Sequence, residues 1–110
     1  HVLFNNDEVI GIVDFGAMKV ESPCLDIARL FGSYADYSPE ALRRGISYYG
    51  EFRELNDLDL SLIELYDRAY VILAGIQWLI WIELEQRFFL DNEAVVQRMH
   101  RLVRRCEPVI

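Results

Sequence analysis

The stretch "AYVILAGIQWLIWI", residues 69–82, constrains this chain more than any other. Its apolar side chains keep to no single helical face, and Gln77 is its only strongly polar member. A helix apolar almost all round must be covered on nearly every side, so this segment should form the central, most buried element. The run is 14 residues long, shorter than the ~20 needed to span a bilayer. The expectation is therefore a core helix with Ile72, Ile76, Leu79 and Ile80 inaccessible, and no membrane partner.

Around this run the chain has room for one domain of 110 residues, and its 53 % hydrophobic content supports a real core rather than disorder. Residues 2–4 and 9–13 read as two short apolar strands. "NNDE" between them has hairpin chemistry, because Asn and Asp tolerate left-handed backbone. Gly11 inside the second strand points to close backbone packing or a bulge. A first helix is expected over residues 25–34, with Ile27, Leu30, Phe31 and Tyr34 on one buried stripe. Ser38 then caps a second helix with Pro39 at its first position, and Leu42, Ile46, Tyr49 and Phe52 line its inner face. "NDLD" caps a third helix running to about Arg87. Asp91 or Asn92 caps a fourth, with Val95, Met99, Leu102 and Cys106 as its stripe and Pro108 marking its end. The fold class is thus α+β, mostly α: a short N-terminal β-hairpin followed by about four helices.

The formal net charge is −7. That argues against a nucleic-acid partner, which needs a basic face. Residues 97–110 hold four arginines and one glutamate, so the +3 there leaves −10 on the rest. An acidic body suits a cationic small molecule or solubility alone. Arg98, Arg101, Arg104 and Arg105 are expected on the solvated outside of the last helix, with an anion or partner site as the alternative reading. The two cysteines, Cys24 and Cys106, form no C-x-x-C pair. They read as free thiols in a reducing cytoplasm, Cys24 buried and inert.

Most of the chemistry lies in "VIGIVDFGAM", residues 9–18. An aliphatic strand ends there on Asp14, Phe15 and Gly16. A carboxylate at a strand end can hold Mg²⁺, which takes one or two protein carboxylates. The phenylalanine would pack back into the core and the glycine would let the chain turn away. Alone, the motif reads better as a strand entering a turn, and only its context reverses that. Its context is "SPCLDIARLFGSY", where Asp26 follows twelve residues after Asp14.

Together, "HVLFNNDEVIGIVDFGAMKVESPCLDIARL" resembles the segment after the catalytic loop in aminoglycoside phosphotransferases. The choline-kinase-like and homoserine-kinase-like enzymes share the pattern. The resemblance covers residues 1 to about 34, and the helical remainder agrees with it but carries no diagnostic residues. It implies a protein-kinase-like fold, of which this single domain would be a C-terminal-lobe portion: residues 1–34 a metal-binding hairpin and bracing helix, residues 35–110 a helical subdomain. It implies ATP and Mg²⁺ as cofactors, with Asp14 as the metal-binding aspartate. Asp26 would brace the catalytic loop by accepting backbone hydrogen bonds. His1 falls where the family has a second metal-ligating Asn, a departure, since imidazole suits Mg²⁺ poorly. Asp36 and Tyr37 fall near the acceptor, Asp36 reading either as an amine contact or as a solvated loop acid.

No catalytic aspartate, Gly-rich loop or strand lysine lies within these residues. The chain opens inside an apolar run, so the expectation is a segment of a larger kinase, inactive by itself, with the rest of its own chain packed on it. The acceptor would be a small-molecule hydroxyl. The alternative is a non-catalytic or degenerate kinase-like helical binding module. Trp78, Trp81, Tyr66 and Tyr70 read as core aromatics, or else as a box for a cation.

Overall fold

The computed structural model describes residues 1–34 and 38–107. Strand β1 (Val2–Asn5) pairs antiparallel with β2 (Glu8–Ile12). The turn between them has Asn6 at φ 54°, the left-handed backbone that Asn tolerates. Val2 faces Ile12 and Leu3 faces Gly11, whereas Phe4 faces Val9. Ile10 is therefore the extra residue of a β-bulge beside Gly11. Four helices follow: α1 (Pro23–Tyr34), α2 (Pro39–Gly50), α3 (Asp57–Leu79) and α4 (Asn92–Cys106). The described residues thus give a mostly helical α+β fold, a two-stranded hairpin and then four helices, as the periodicity and turn chemistry require.

The caps follow the sequence closely. Ala41 N–H donates to Ser38 Oγ at 3.3 Å, with Pro39 opening α2. Asp59 N–H donates to Asn56 Oδ1 at 2.9 Å and Asn56 N–H returns to Asp59 Oδ2 at 3.1 Å, a reciprocal capping box. Asp91, not Asn92, caps α4, accepting from Ala94 N–H at 2.9 Å. Helix α3 stops earlier than the expected Arg87. It widens into a π-helical turn over Ile80–Leu84 and ends where Gln86 takes φ 48°. Arg87 N–H then donates to the Trp81 carbonyl at 2.9 Å, closing the end as a left-handed residue there allows.

Helix α1 packs on α2 and α3, and α3 packs on α4. The core is Cys24, Ile27, Ala28 and Ile63, with Phe31, Ile46, Tyr49, Leu55, Leu62 and Tyr66 against it. A Cβ on Gly45 would collide with the Phe31 ring, so glycine lets α2 lie close on α1. Two expected stripe members are not inside. Leu30 is half exposed, and Phe52 lies beyond the end of α2, out in solvent.

The larger correction concerns α3. Its buried residues are Ile63, Asp67 and Val71, all in its first two-thirds. Ile72, Ile76 and Leu79 are exposed by 42–51 % and Ile80 is half-buried, so the apolar run is not the buried centre. The physical reason is coverage. Helices α1 and α4 cover two sides of α3, whereas a run apolar on every side needs neighbours all round. Trp78 and Trp81 instead pack on one another edge-to-face at 5.1 Å, and Phe89 closes on Trp78 at 5.5 Å. Among the described residues no helix is long and apolar enough to cross a membrane.

A second correction is Arg105. It is 12 % exposed at the side chain and pairs with Asp67, itself 9 % exposed, so it is not on the solvated outside of α4. A Cβ on Gly32 would sit 2.5 Å from Asp67 Oδ1, so α1 touches the same pair. Removing one partner of such a pair strands a buried charge, whereas replacing both with apolar groups does not. Arg105→Ala should therefore cost ~3–5 kcal/mol, because it leaves the buried Asp67 carboxylate without its guanidinium. The double variant Asp67→Leu/Arg105→Met should recover most of that loss. Urea denaturation followed by circular dichroism measures both, and equal destabilisation in the two variants would show that the pair matters for shape alone.

Candidate functional site

The hairpin register builds the site. Pairing continues one step beyond Val2 and Ile12, where Val13 N–H donates to the His1 carbonyl at 2.9 Å. That bond holds His1 beside the exit of β2, and Asp14 is the next residue along. His1 Nε2 lies 3.5 Å from Asp14 Oδ2. The two residues selected from the sequence as metal-ligand positions are thus brought together by strand pairing. Both side chains are mostly exposed, so the contact adds little to stability.

Asp14 itself has φ 65° and ψ 65°. Left-handed backbone costs an ordinary L-residue ~1–2 kcal/mol, and Asp tolerates it better than most. The chain reverses at the aspartate, not at the glycine: no described glycine has positive φ. A 3-10 turn, Phe15–Ala17, follows, closed by Met18 N–H to the Phe15 carbonyl at 3.0 Å. Phe15 is 60 % exposed and does not pack back into the core as expected. The hairpin as a whole presents apolar side chains outward, Val9, Ile10 and Ile12 among them.

Of the two donors, His1 and Asp14, only the Asp14 carboxylate is of a type that could hold a hard cation. Mg²⁺ binds through one or two carboxylates and completes its shell with water and phosphate oxygens. The exposed Asp14 carboxylate fits that description, whereas the His1 imidazole is a poor oxygen substitute. Among the described residues no group of three or more His, Cys, Asp or Glu side chains gathers to hold a metal.

The other selected residues separate. Asp26 stands exposed in the first turn of α1, where a negative charge favours the helix dipole. Among the described residues nothing donates a hydrogen bond to its carboxylate. Asp36 and Tyr37 lie outside the described residues. The four aromatics form no single box: Tyr66 joins the core, and the face of Trp81 is taken by Arg87, 4.8 Å from the ring centroid. Cys24 is buried, and its thiol donates to Asp59 Oδ1 at 3.6 Å; Cys106 is also free.

Sequence reasoning missed the Asp67–Arg105 pair. The signal was present. Ile63, Asp67 and Val71 stand four apart, which puts an acid on an otherwise apolar stripe. Comparison with known protein families, with characterised proteins and with solved structures finds no match.

The backbone at Asp14 makes a prediction separable from any ligand. Asp14→Gly should leave stability unchanged or raise it by about 1 kcal/mol, since glycine takes left-handed backbone without a Cβ clash. Asp14→Val should lower it by ~1–2 kcal/mol for the opposite reason. Thermal unfolding of both variants checks the order. A glycine variant less stable than the valine one would contradict it.

Proposed function

We propose that this chain supplies the metal-binding segment of an ATP-dependent small-molecule phosphotransferase. The reaction is phosphoryl transfer to a hydroxyl acceptor, with Mg²⁺ and ATP as cofactors. One observation carries this: an exposed Asp14 carboxylate held by reversed backbone at the end of a strand, directly before Phe15 and Gly16. When bound, Mg²⁺ neutralises phosphate charge, which is much of what catalysis of such transfers requires. Asp14 would hold it. His1 would stand at the edge of the site as a hydrogen-bonding neighbour. Asp26 and the Asp36–Tyr37 segment keep the roles the resemblance gives them, bracing the catalytic loop and facing the acceptor.

In this proposal the catalytic base belongs to another part of the enzyme, and further chain packs over the apolar outer residues of the hairpin. The two free cysteines suit a cytoplasmic setting. A second reading has a specific observation in its favour. His1 occupies a place where an oxygen ligand is expected, which fits a degenerate, non-catalytic member of the same fold.

One variant distinguishes the two. Asp14→Asn keeps the shape and removes the charge that faces the metal. In the full-length protein it should reduce phosphoryl transfer from ATP on the order of a hundredfold or more, with the melting temperature unchanged. Coupled ADP release over a panel of hydroxyl acceptors is the assay. Full activity of the variant at saturating magnesium would remove Asp14 from the metal site. A folded wild-type protein with no transfer to any acceptor, and no calorimetric signal with Mg²⁺–ATP, would leave the binding-module reading.

A further inference from the structure

Helix α2 leans on α1, and α4 on α3, so a cleft of about 960 Å³ opens between α2 and α4 above α3. That volume is at the upper end of small-molecule sites, which are mostly apolar with a few placed polar groups. Leu42 and Ile46 from α2 and Leu60 and Val71 from α3 supply the apolar lining. None of the lining residues belongs to the hairpin or to the turn after it.

The charges of the cleft resolve by pairing. Asp67 is neutralised by Arg105 and Glu64 by Arg68. Among the described residues these are the only two acids in the lining. Arg101, also in the lining, has an interaction of its own, which leaves Arg43 on the α2 wall and Arg104 on the α4 wall; among the described residues neither of these two forms an ion pair. The cleft is therefore locally cationic in a chain of net charge −7. An overall acidic body does not gather anions, so two guanidinium groups on opposite walls of one cleft with a partly apolar lining mark a local preference. Guanidinium binds phosphate and carboxylate through paired N–H donors.

We infer that this cleft binds a small soluble anion carrying an apolar body, a phosphate or carboxylate ester of an aromatic or aliphatic compound, with Arg43 and Arg104 on the anionic group and the Leu42–Ile46 wall on the body. The inference does not depend on Asp14 or on phosphoryl transfer.

Phenyl phosphate is a suitable probe, with benzylamine as its cationic counterpart. Isothermal titration calorimetry on the full chain should show saturable binding of phenyl phosphate and at least tenfold weaker binding of benzylamine. Arg43→Gln/Arg104→Gln should weaken phenyl phosphate at least tenfold. The charge-matched pair Arg29→Gln/Arg44→Gln, outside the lining, should change it less than twofold. Circular dichroism confirms that each variant is folded. Absence of saturable binding, equal binding of benzylamine, or equal weakening by the control pair would each overturn the inference. So would binding to vesicles rich in anionic lipid without binding of phenyl phosphate, which would make the surface a membrane contact.

Discussion

The contact on which the helical body depends is the ion pair between Asp67 of α3 and Arg105 of α4, pressed against Gly32 of α1. Three helices meet at two charges and one missing Cβ. Burying charges costs several kcal/mol per ion before their attraction is counted. Apolar residues of the same volume would hold the helices at least as firmly. What the pair adds is position: a carboxylate against a guanidinium fixes the rotation of α4 on α3, which leucines would leave freer to slide. The same rotation turns Gln97, His100 and Arg104 toward the cleft and sends Leu102 inside, 1 % exposed.

The hairpin obeys a different constraint. Its two strands pair with each other and, among the described residues, make little contact with the helices. Isolated two-stranded hairpins are marginal in water. Here the bulge at Ile10, the Asn6 turn and the extra Val13–His1 bond define the register, and the exposed apolar side chains leave it short of burial. The radius of gyration, 15.6 Å, exceeds the ~13 Å typical of a chain this long. The outward hairpin and the uncovered end of α3 are two of the places where, among the described residues, apolar surface has not found a neighbour.

Much of this fold was legible in the sequence because its signals are local. A cap is written in one residue and its third neighbour, so Ser38, Asn56 and Asp91 could be read directly. Hairpin chemistry is written in four residues. What could not be read is tertiary. The run at residues 69–82 declares that it needs cover but not whether cover exists, and Ile72 and Ile76 are exposed because α1 and α4 cover only two sides of α3. Arg105 looked like one more cation on a basic helix. It lies next to the apolar stripe through Leu102 and Cys106, and only the facing acid on α3 decides that its head group is buried. Of the candidate site, the pairing of His1 with Asp14 follows from the hairpin register, whereas the exposure of Phe15 depends on what packs beyond it.

Asp14 joins these arguments. Its left-handed backbone sits at a strand end, where glycine would fit with less strain, and glycine is available two residues later in the same turn. The Asp14 carboxylate stands mostly in solvent beside His1, where it contributes little to folding. Strained, exposed and weakly paired groups of this kind are what local stability alone would remove, and they concentrate where a chain binds something. Under the proposed function, a carboxylate left in solvent at a conformational cost is what a bound cation would account for.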